Sequence, residues 1–271
     1  MTSDPWVLAN RAAGAAGVEL RPIATLGDAD QLLRVMHATW EGHGSFPREV
    51  VRALADSGNV PYGAFDREEL IGYVLGWAGV GPEDGLHVHS HMLAAVPDRR
   101  HRGVGYALKL AQRAQALDQG IVIVRWTFDP LVARNALLNL HKLGAIADRF
   151  DRDHYGEMAD AVNVGERSDR FTIRWDLERE PGPRELGSGD VVLAAGGSRP
   201  GAVRSPTGPV ALVEVPVEYG DMRSTDPDAA LAWRDASAEA IEACLSAGLV
   251  AAGFDRTASS YVFVLAEDLP P

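Results

Sequence analysis

The chain has a single cysteine, Cys244, in 271 residues, which excludes an internal disulfide framework. Cys244 sits among Ile241, Leu245 and alanines, a setting that predicts a small buried residue and not a nucleophile. No apolar run reaches membrane-spanning length and no basic-then-apolar leader follows Met1, so no membrane partner is expected and the expected location is the cytoplasm. Positive charge is scarce as well. Lys and Arg number 26 against 38 Asp and Glu, for a formal net charge of -12, which argues against nucleic acid as a partner. Two phosphate-binding motifs are also missing. GxxxxGK[ST] occurs nowhere, and the third glycine of a GxGxxG run is replaced by Leu108 after Gly103 and Gly105.

What is present centres on Ser90 to Gly120. The apolar run Met92 to Val96 has strand character and ends at Pro97-Asp98. Arg99, Arg100, His101 and Arg102 lead into Gly103-Val104-Gly105, after which Leu108, Leu110, Ala111, Ala114 and Leu117 recur at helical spacing. A glycine turn feeding a helix offers backbone N–H groups at the positive end of the helix dipole, a geometry that holds phosphate. Three arginines beside that turn invite an anion in an otherwise acidic protein.

Arg100-His101-Arg102-Gly103-Val104-Gly105 matches [Q/R]xxGx[G/A], and a Val/Leu/Ala-rich strand ending in Val-Pro precedes it. With that strand and helix in place, the chain resembles the GNAT acyl-CoA N-acyltransferases over roughly Val18 to Leu177, in particular a poorly characterised bacterial subgroup with a C-terminal extension. The resemblance implies an α/β (α+β) fold, with a mixed, mostly antiparallel sheet flanked by helices. It also implies acetyl-CoA or another acyl-CoA as co-substrate, with no metal. The CoA-binding residues it points to are Ala94, Ala95, Val96, Arg100, His101, Arg102, Gly103, Val104, Gly105, Tyr106 and Ala107. Backbone groups of Ala94 and Val96 would pair with the pantetheine arm, and N–H groups from Arg102 to Ala107 would hold the phosphates. Asn135 and Asn139, one helical turn apart, would steady the arm or its water, or else serve as solvent-facing amides.

The chain departs from the family in two places. The tyrosine that usually protonates the departing thiolate is replaced by Leu140, and the usual glutamate base is absent. Tyr155, in the insertion between the last two expected strands, is the candidate to replace the acid. His87, His89 and His91 alternate along one strand face. They fit a general base, a zinc chelate completed from elsewhere, or polar packing at a strand start. Next to the CoA strand, His91 is the first candidate base and His89 the second. Trp40, Trp126 and Trp175 suit core or acyl-pocket wall, while Arg125 and Arg170 suit a substrate carboxylate or a salt bridge.

In chain order, the sequence predicts a helix from Ser3-Asp4-Pro5 to Ala16, a strand over 18–24, helices over 28–40 and 47–54, and strands over 60–65 and 70–77. The loop 41–46 is a candidate substrate lid. Strand 121–126, helix 131–143 and strands 146–150 and 170–177 follow. The segment 181–209 is rich in Pro, Gly, Ser and Arg and reads as a linker carrying one strand. Beyond it a strand over 210–219, a helix over 227–245 and a final hairpin echo the last half of a GNAT domain. The expected domains are a helix at 1–17, an acyltransferase domain at 18–180, a linker at 181–208 and an α/β half-domain at 209–271. The expected function is acyl transfer to a primary amine of a small molecule, with an amino acid among the candidates and a homodimer among the expected assemblies. A non-catalytic acyl-CoA sensor is the alternative.

Overall fold

A computed structural model describes residues 4–40, 46–99, 102–158 and 165–269. The chain packs as two units. The first is Met1–Trp126 with Glu157–Glu166 and Asp176–Glu178, and the second is Thr127–Gly156 with Arg167–Trp175 and Arg179–Pro271.

In the first unit, α1 (Pro5–Ala16) starts at the N-cap Asp4, whose side chain accepts from the Trp6 N–H, and stops at Gly17 in the left-handed region. Helix α2 (Leu26–Thr39) starts two residues earlier than expected because Thr25 and Asp28 form a reciprocal capping box. Helix α3 spans Arg48–Asp56. Strands β1 (Glu19–Pro22), β2 (Tyr62–Asp66), β3 (Glu69–Gly81) and β4 (Gly85–Ala95) pair antiparallel in sequence order. Strand β5 (Ile123–Phe128) then lies parallel to β4 after the long helix α4 (Val104–Asp118). This order, in a mixed and mostly antiparallel sheet, is what the resemblance implies.

The two faces of this sheet bury different sets of side chains. Phe65, Leu70, Tyr73 and Leu75 pack with Leu32, Val35 and Met36 of α2 and Val51 of α3. Ala64, Ile71 and Val74 pack with Val104 and Leu108 of α4. Each such apolar side chain contributes about 1.5–3 kcal/mol when fully buried. Strand β3 runs four residues past the expected end at Trp77, from Ala78 to Gly81, and β4 begins at Gly85, so the histidine run and Met92 to Ala95 form one strand. The β3–β4 ladder carries a bulge: Leu75 pairs with Met92 and Gly76 with Ser90, which leaves His91 as the extra residue. A Cβ on Gly76 would sit 2.5 Å from the His89 carbonyl oxygen and 3.1 Å from Gln112 Nε2. Gly76→Val is therefore expected to cost at least about 1–3 kcal/mol, read as a lower denaturant midpoint at unchanged slope.

The second unit holds α5 (Ala133–Ala136), β6 (Ile146–Asp151), β7 (Arg170–Asp176), β8 (Asp190–Leu193), the two-residue strands β9 (Ala195–Gly196) and β10 (Arg199–Pro200), and β11 (Val210–Glu214). Helices α6 (Tyr219–Thr225) and α7 (Pro227–Ser246) and strands β12 (Leu249–Asp255) and β13 (Ser260–Leu265) complete it. Its C-terminal half repeats its first half. Gly144 and Gly248, with φ of 67° and 81°, end the helices, and Gly144-x-x-Ala147-x-x-Phe150-Asp151 recurs as Gly248-x-x-Ala251-x-x-Phe254-Asp255. The β6–β7 and β12–β13 hairpins share a bulge at matching positions, Ala147/Arg149 and Ala251/Gly253. The repeats meet where Ala147 pairs antiparallel with Ala251, each residue facing its own counterpart.

Three expectations change here. The strand from 210 stops at Glu214, because Tyr219 opens α6 and buries its ring. The helix after β5 is α only over Ala133–Ala136, and Leu137–Lys142 is π-helical, with Leu143 N–H donating to the Leu138 carbonyl. The 181–208 stretch is not a bare tether. Arg184 Nη1 donates to the Gly144 carbonyl, and Val192 and Leu193 of β8 are buried beside β11.

Candidate functional site

The site is built where β4 hands over to α4. Parallel pairing of β4 with β5 holds Val88 to Val124 and His89 to Arg125, and both strands continue beyond that point. Gly103 sits in the left-handed region (φ 89°) as the N-cap of α4, so the helix axis starts directly behind the end of β4. The opening turn begins at Val104, where a helix has no carbonyl of its own to receive its N–H groups. Ala107 is excluded from that set, since its N–H donates to the Gly103 carbonyl at 3.0 Å and its side chain is fully buried. Gly105 and Tyr106 are half-buried in the first turn and Arg102 is exposed beside it. Arg100 and His101 lie outside the described residues, as do residues 41–45 of the expected lid.

The expected backbone edge on β4 needs a correction. Val96 N–H donates to the Ile71 carbonyl at 2.8 Å, so Val96, and by alternation Ala94, turn their backbone groups toward β3. Leu93 and Ala95 turn theirs to the β5 side.

His89 and His91 share one sheet face with Trp77, a residue the sequence reading missed. Trp77 pairs with His89 across the β3–β4 ladder, and its ring lies 5.1 Å from the His89 ring and 4.9 Å from the His91 ring. The Phe46 ring is 6.1 Å from His91 and the two imidazoles are 5.9 Å apart. Trp40, Phe46, Trp77 and Met92 are all partly buried against the core beneath. They form an apolar wall next to an exposed imidazole, His91. Only the hairpin register could have revealed Trp77, because its partner lies twelve residues away around a turn. His87 turns back, its Nδ1 3.0 Å from the Gly85 carbonyl. Among the described residues no group of three His, Cys, Asp or Glu side chains converges as a metal set.

The opposite face of β4 carries a second polar group without a precedent in the sequence reading. Lys109 of α4 is 2% exposed, with Nζ 3.0 Å from Ser90 Oγ, 2.8 Å from Gln112 Oε1 and 3.7 Å from the centre of the Trp126 ring. Burial pulls its ammonium well below the ordinary lysine range. Trp126 is thus a packing surface for this cation. Arg125 is a salt-bridge partner: its Nε lies 2.6 Å from Asp84 Oδ2 and its Nη2 3.9 Å from Glu83, which takes up the guanidinium expected for a substrate carboxylate.

The remaining candidates lie in the second unit. Tyr155 is 47% exposed, with its hydroxyl 2.8 Å from Thr127 Oγ1 and the Arg170 guanidinium 5.6 Å from its ring. Arg170 is buried, donates to the Asp169 carbonyl and approaches Asp129 at 3.9 Å; burial lowers its pKa, partly offset by Asp129. Asn139 is buried in the π-helical segment and Asn135 half-buried in α5, so the pair does not share one regular α-helical face. Leu140 is fully buried, and Trp175 is core. Cys244 is buried too, its thiol pushed up to about 12 by desolvation, as suits a packing residue.

No protein-family description and no curated protein matches this chain. Solved structures similar to it include the ribosomal-protein-S18-alanine N-acetyltransferase from Escherichia coli, at 11% identity over 62% of this chain and 99% of that one (TM-score 0.48). A GNAT-family acetyltransferase from Streptococcus pneumoniae is similar at 14% identity over 58% of this chain and 98% of that one (TM-score 0.48). Arabidopsis thaliana NAA60 in complex with a bisubstrate analogue is similar at 19% identity over 59% and 97% (TM-score 0.47).

Proposed function

We propose that this chain is an acyl-CoA-dependent N-acyltransferase that moves an acetyl or succinyl group to a primary amine of a small molecule. The observation that carries the reading is the parting of two parallel strands after His89 and Arg125, directly beside a helix opened by a left-handed glycine. Such a gap gives an extended amide-bearing arm a strand edge to pair with. The helix start gives its phosphates a positive dipole end.

The chemistry follows from the two walls. An amine held against Trp77 and Phe46 loses a proton to His91, directly or through water, and attacks the thioester carbonyl. A backbone N–H of β4 stabilises the developing oxyanion, and fixing both reactants in one cleft supplies most of the rate. No covalent enzyme intermediate is required, in keeping with a fully buried Cys244.

Calorimetric titration with acetyl-CoA, succinyl-CoA and CoA, followed by an amine screen with the tighter thioester, tests the reading. His91→Ala is expected to lower kcat by about 10²- to 10⁴-fold. It should leave acyl-CoA affinity within about threefold, because the imidazole acts on the amine. Acyl-CoA binding with no turnover on any amine would instead make the chain a sensor.

A further inference from the structure

In a regular strand His91 and Met92 would point to opposite faces of the sheet. The bulge at His91 changes that, because the ladder resumes at Leu75 and Met92 only after the extra residue. Met92 packs on the core cluster of Leu75 and Tyr73, with its sulfur 3.6 Å from the Tyr73 hydroxyl. The His91 ring lies on that same side, 4.9 Å from Trp77 and 6.1 Å from Phe46, and both of those rings pack on the same cluster. Trp40, at the end of α2, joins them there. Trp40, Phe46, Trp77 and Met92 are each only partly buried, so an accessible imidazole has an apolar margin that is itself open in part.

The charge beside this margin is already balanced. Arg125 stands next to His89 in the parallel ladder of β4 and β5. Asp84 meets its guanidinium at 2.6 Å, with the two side chains 7% and 10% exposed, and Glu83 approaches at 3.9 Å. A cation enclosed by two carboxylates has little left for a third. A carboxylate placed against the aromatic rings without a partner would lose its hydration and gain nothing in return.

Resting on the acyltransferase reading, we infer that the acceptor is a primary amine with an apolar, uncharged tail, an arylalkyl or alkyl amine, and not a free amino acid. The tail covers the open parts of Trp77 and Phe46, and its burial supplies the binding energy. The amine end then meets His91, the one exposed group on this margin that can take its proton.

The test compares three acceptors with acetyl-CoA or succinyl-CoA, whichever calorimetry favours: 2-phenylethylamine, ethylamine and phenylalanine. The first two differ only in the aryl tail, and the first and third only in the carboxylate. The kcat/KM for 2-phenylethylamine is expected to exceed each of the others by about tenfold or more, the discrimination that an apolar contact of this size supplies. Trp77→Ala should lower the 2-phenylethylamine-to-ethylamine ratio by about tenfold, chiefly through the KM of the aryl amine. Phe46→Ala should move the ratio in the same direction and serves if Trp77→Ala does not fold. Three results overturn the inference and leave the acyltransferase reading standing: equal use of ethylamine and 2-phenylethylamine, equal or better use of phenylalanine, or a ratio unmoved in both variants. Turnover confined to amines with a charged tail does the same. Acyl-CoA binding with no amine turned over overturns both.

Discussion

Gly105→Glu is expected to abolish CoA binding while leaving the fold at least as stable as before. Gly105 is half-buried in the first turn of α4, two residues after the left-handed Gly103. A carboxylate there would lie about 4 Å from a bound phosphate, and two like charges at that distance near a protein surface repel by about 4 kcal/mol. That is close to three decades in affinity. The effect on the helix has the opposite sign. An anion in the first turn is favourable to the dipole by about 0.3–1 kcal/mol, and replacing glycine inside a helix gains up to about 1 kcal/mol more. Calorimetry and thermal melting on the same sample separate the two effects. Retained affinity would remove the phosphates from the start of α4, and with them the proposed donor site.

Asp129→Asn is expected to be strongly destabilising, by about 3–5 kcal/mol, the usual cost of breaking a buried ion pair by removing one partner. Asp129 accepts from both Nη atoms of Arg234 at 2.8 Å, and Arg170 approaches it at 3.9 Å. Arg234 is 3% exposed and stacks 5.0 Å from the centre of the Tyr219 ring, so neither guanidinium can turn to water. Asparagine keeps the contact to the Leu131 N–H but removes the carboxylate charge that faces both arginines. For a chain of this length the loss corresponds to a Tm lower by about 6–20 °C. The Arg152–Glu242 pair is the control, because it has equally good fork geometry, with 2.6 Å at both contacts, but its side chains are 40% and 45% exposed. Glu242→Gln should cost no more than about 1 kcal/mol. Similar losses for the two variants would mean that burial does not govern these pairs.

The donor loop was the most legible part of the molecule. A strand ending in proline, a glycine turn and an uninterrupted helical repeat are local patterns, and each is set by residues within a few positions of one another. The strand order of the first unit came from the family resemblance, since no local signal fixes which strands pair. The histidine face was half legible: period-two alternation put His89 and His91 on one side, but their neighbour Trp77 depended on the register of a hairpin whose turn the sequence marks only loosely. The C-terminal repeat showed as an echo of strand, helix and hairpin. Its meeting point, Ala147 against Ala251, is a contact across more than a hundred residues.

By itself, then, the sequence determined most of the elements, the glycine turn into α4 and the absence of a tyrosine at 140, because backbone propensity and side-chain period act over short range. Only the tertiary structure decided which groups share the cleft. It turned the backbone of Val96 toward β3 through one hydrogen bond to Ile71, and it turned Arg125 toward Asp84. It also buried Lys109 against Ser90 and the Trp126 ring, although in the helical repeat this residue is one more position between two leucines. The physical reason is desolvation. Whether a lysine is a surface charge or a buried amine depends on what lies against its Nζ, and that is fixed by packing between segments and not by the order of residues along the chain.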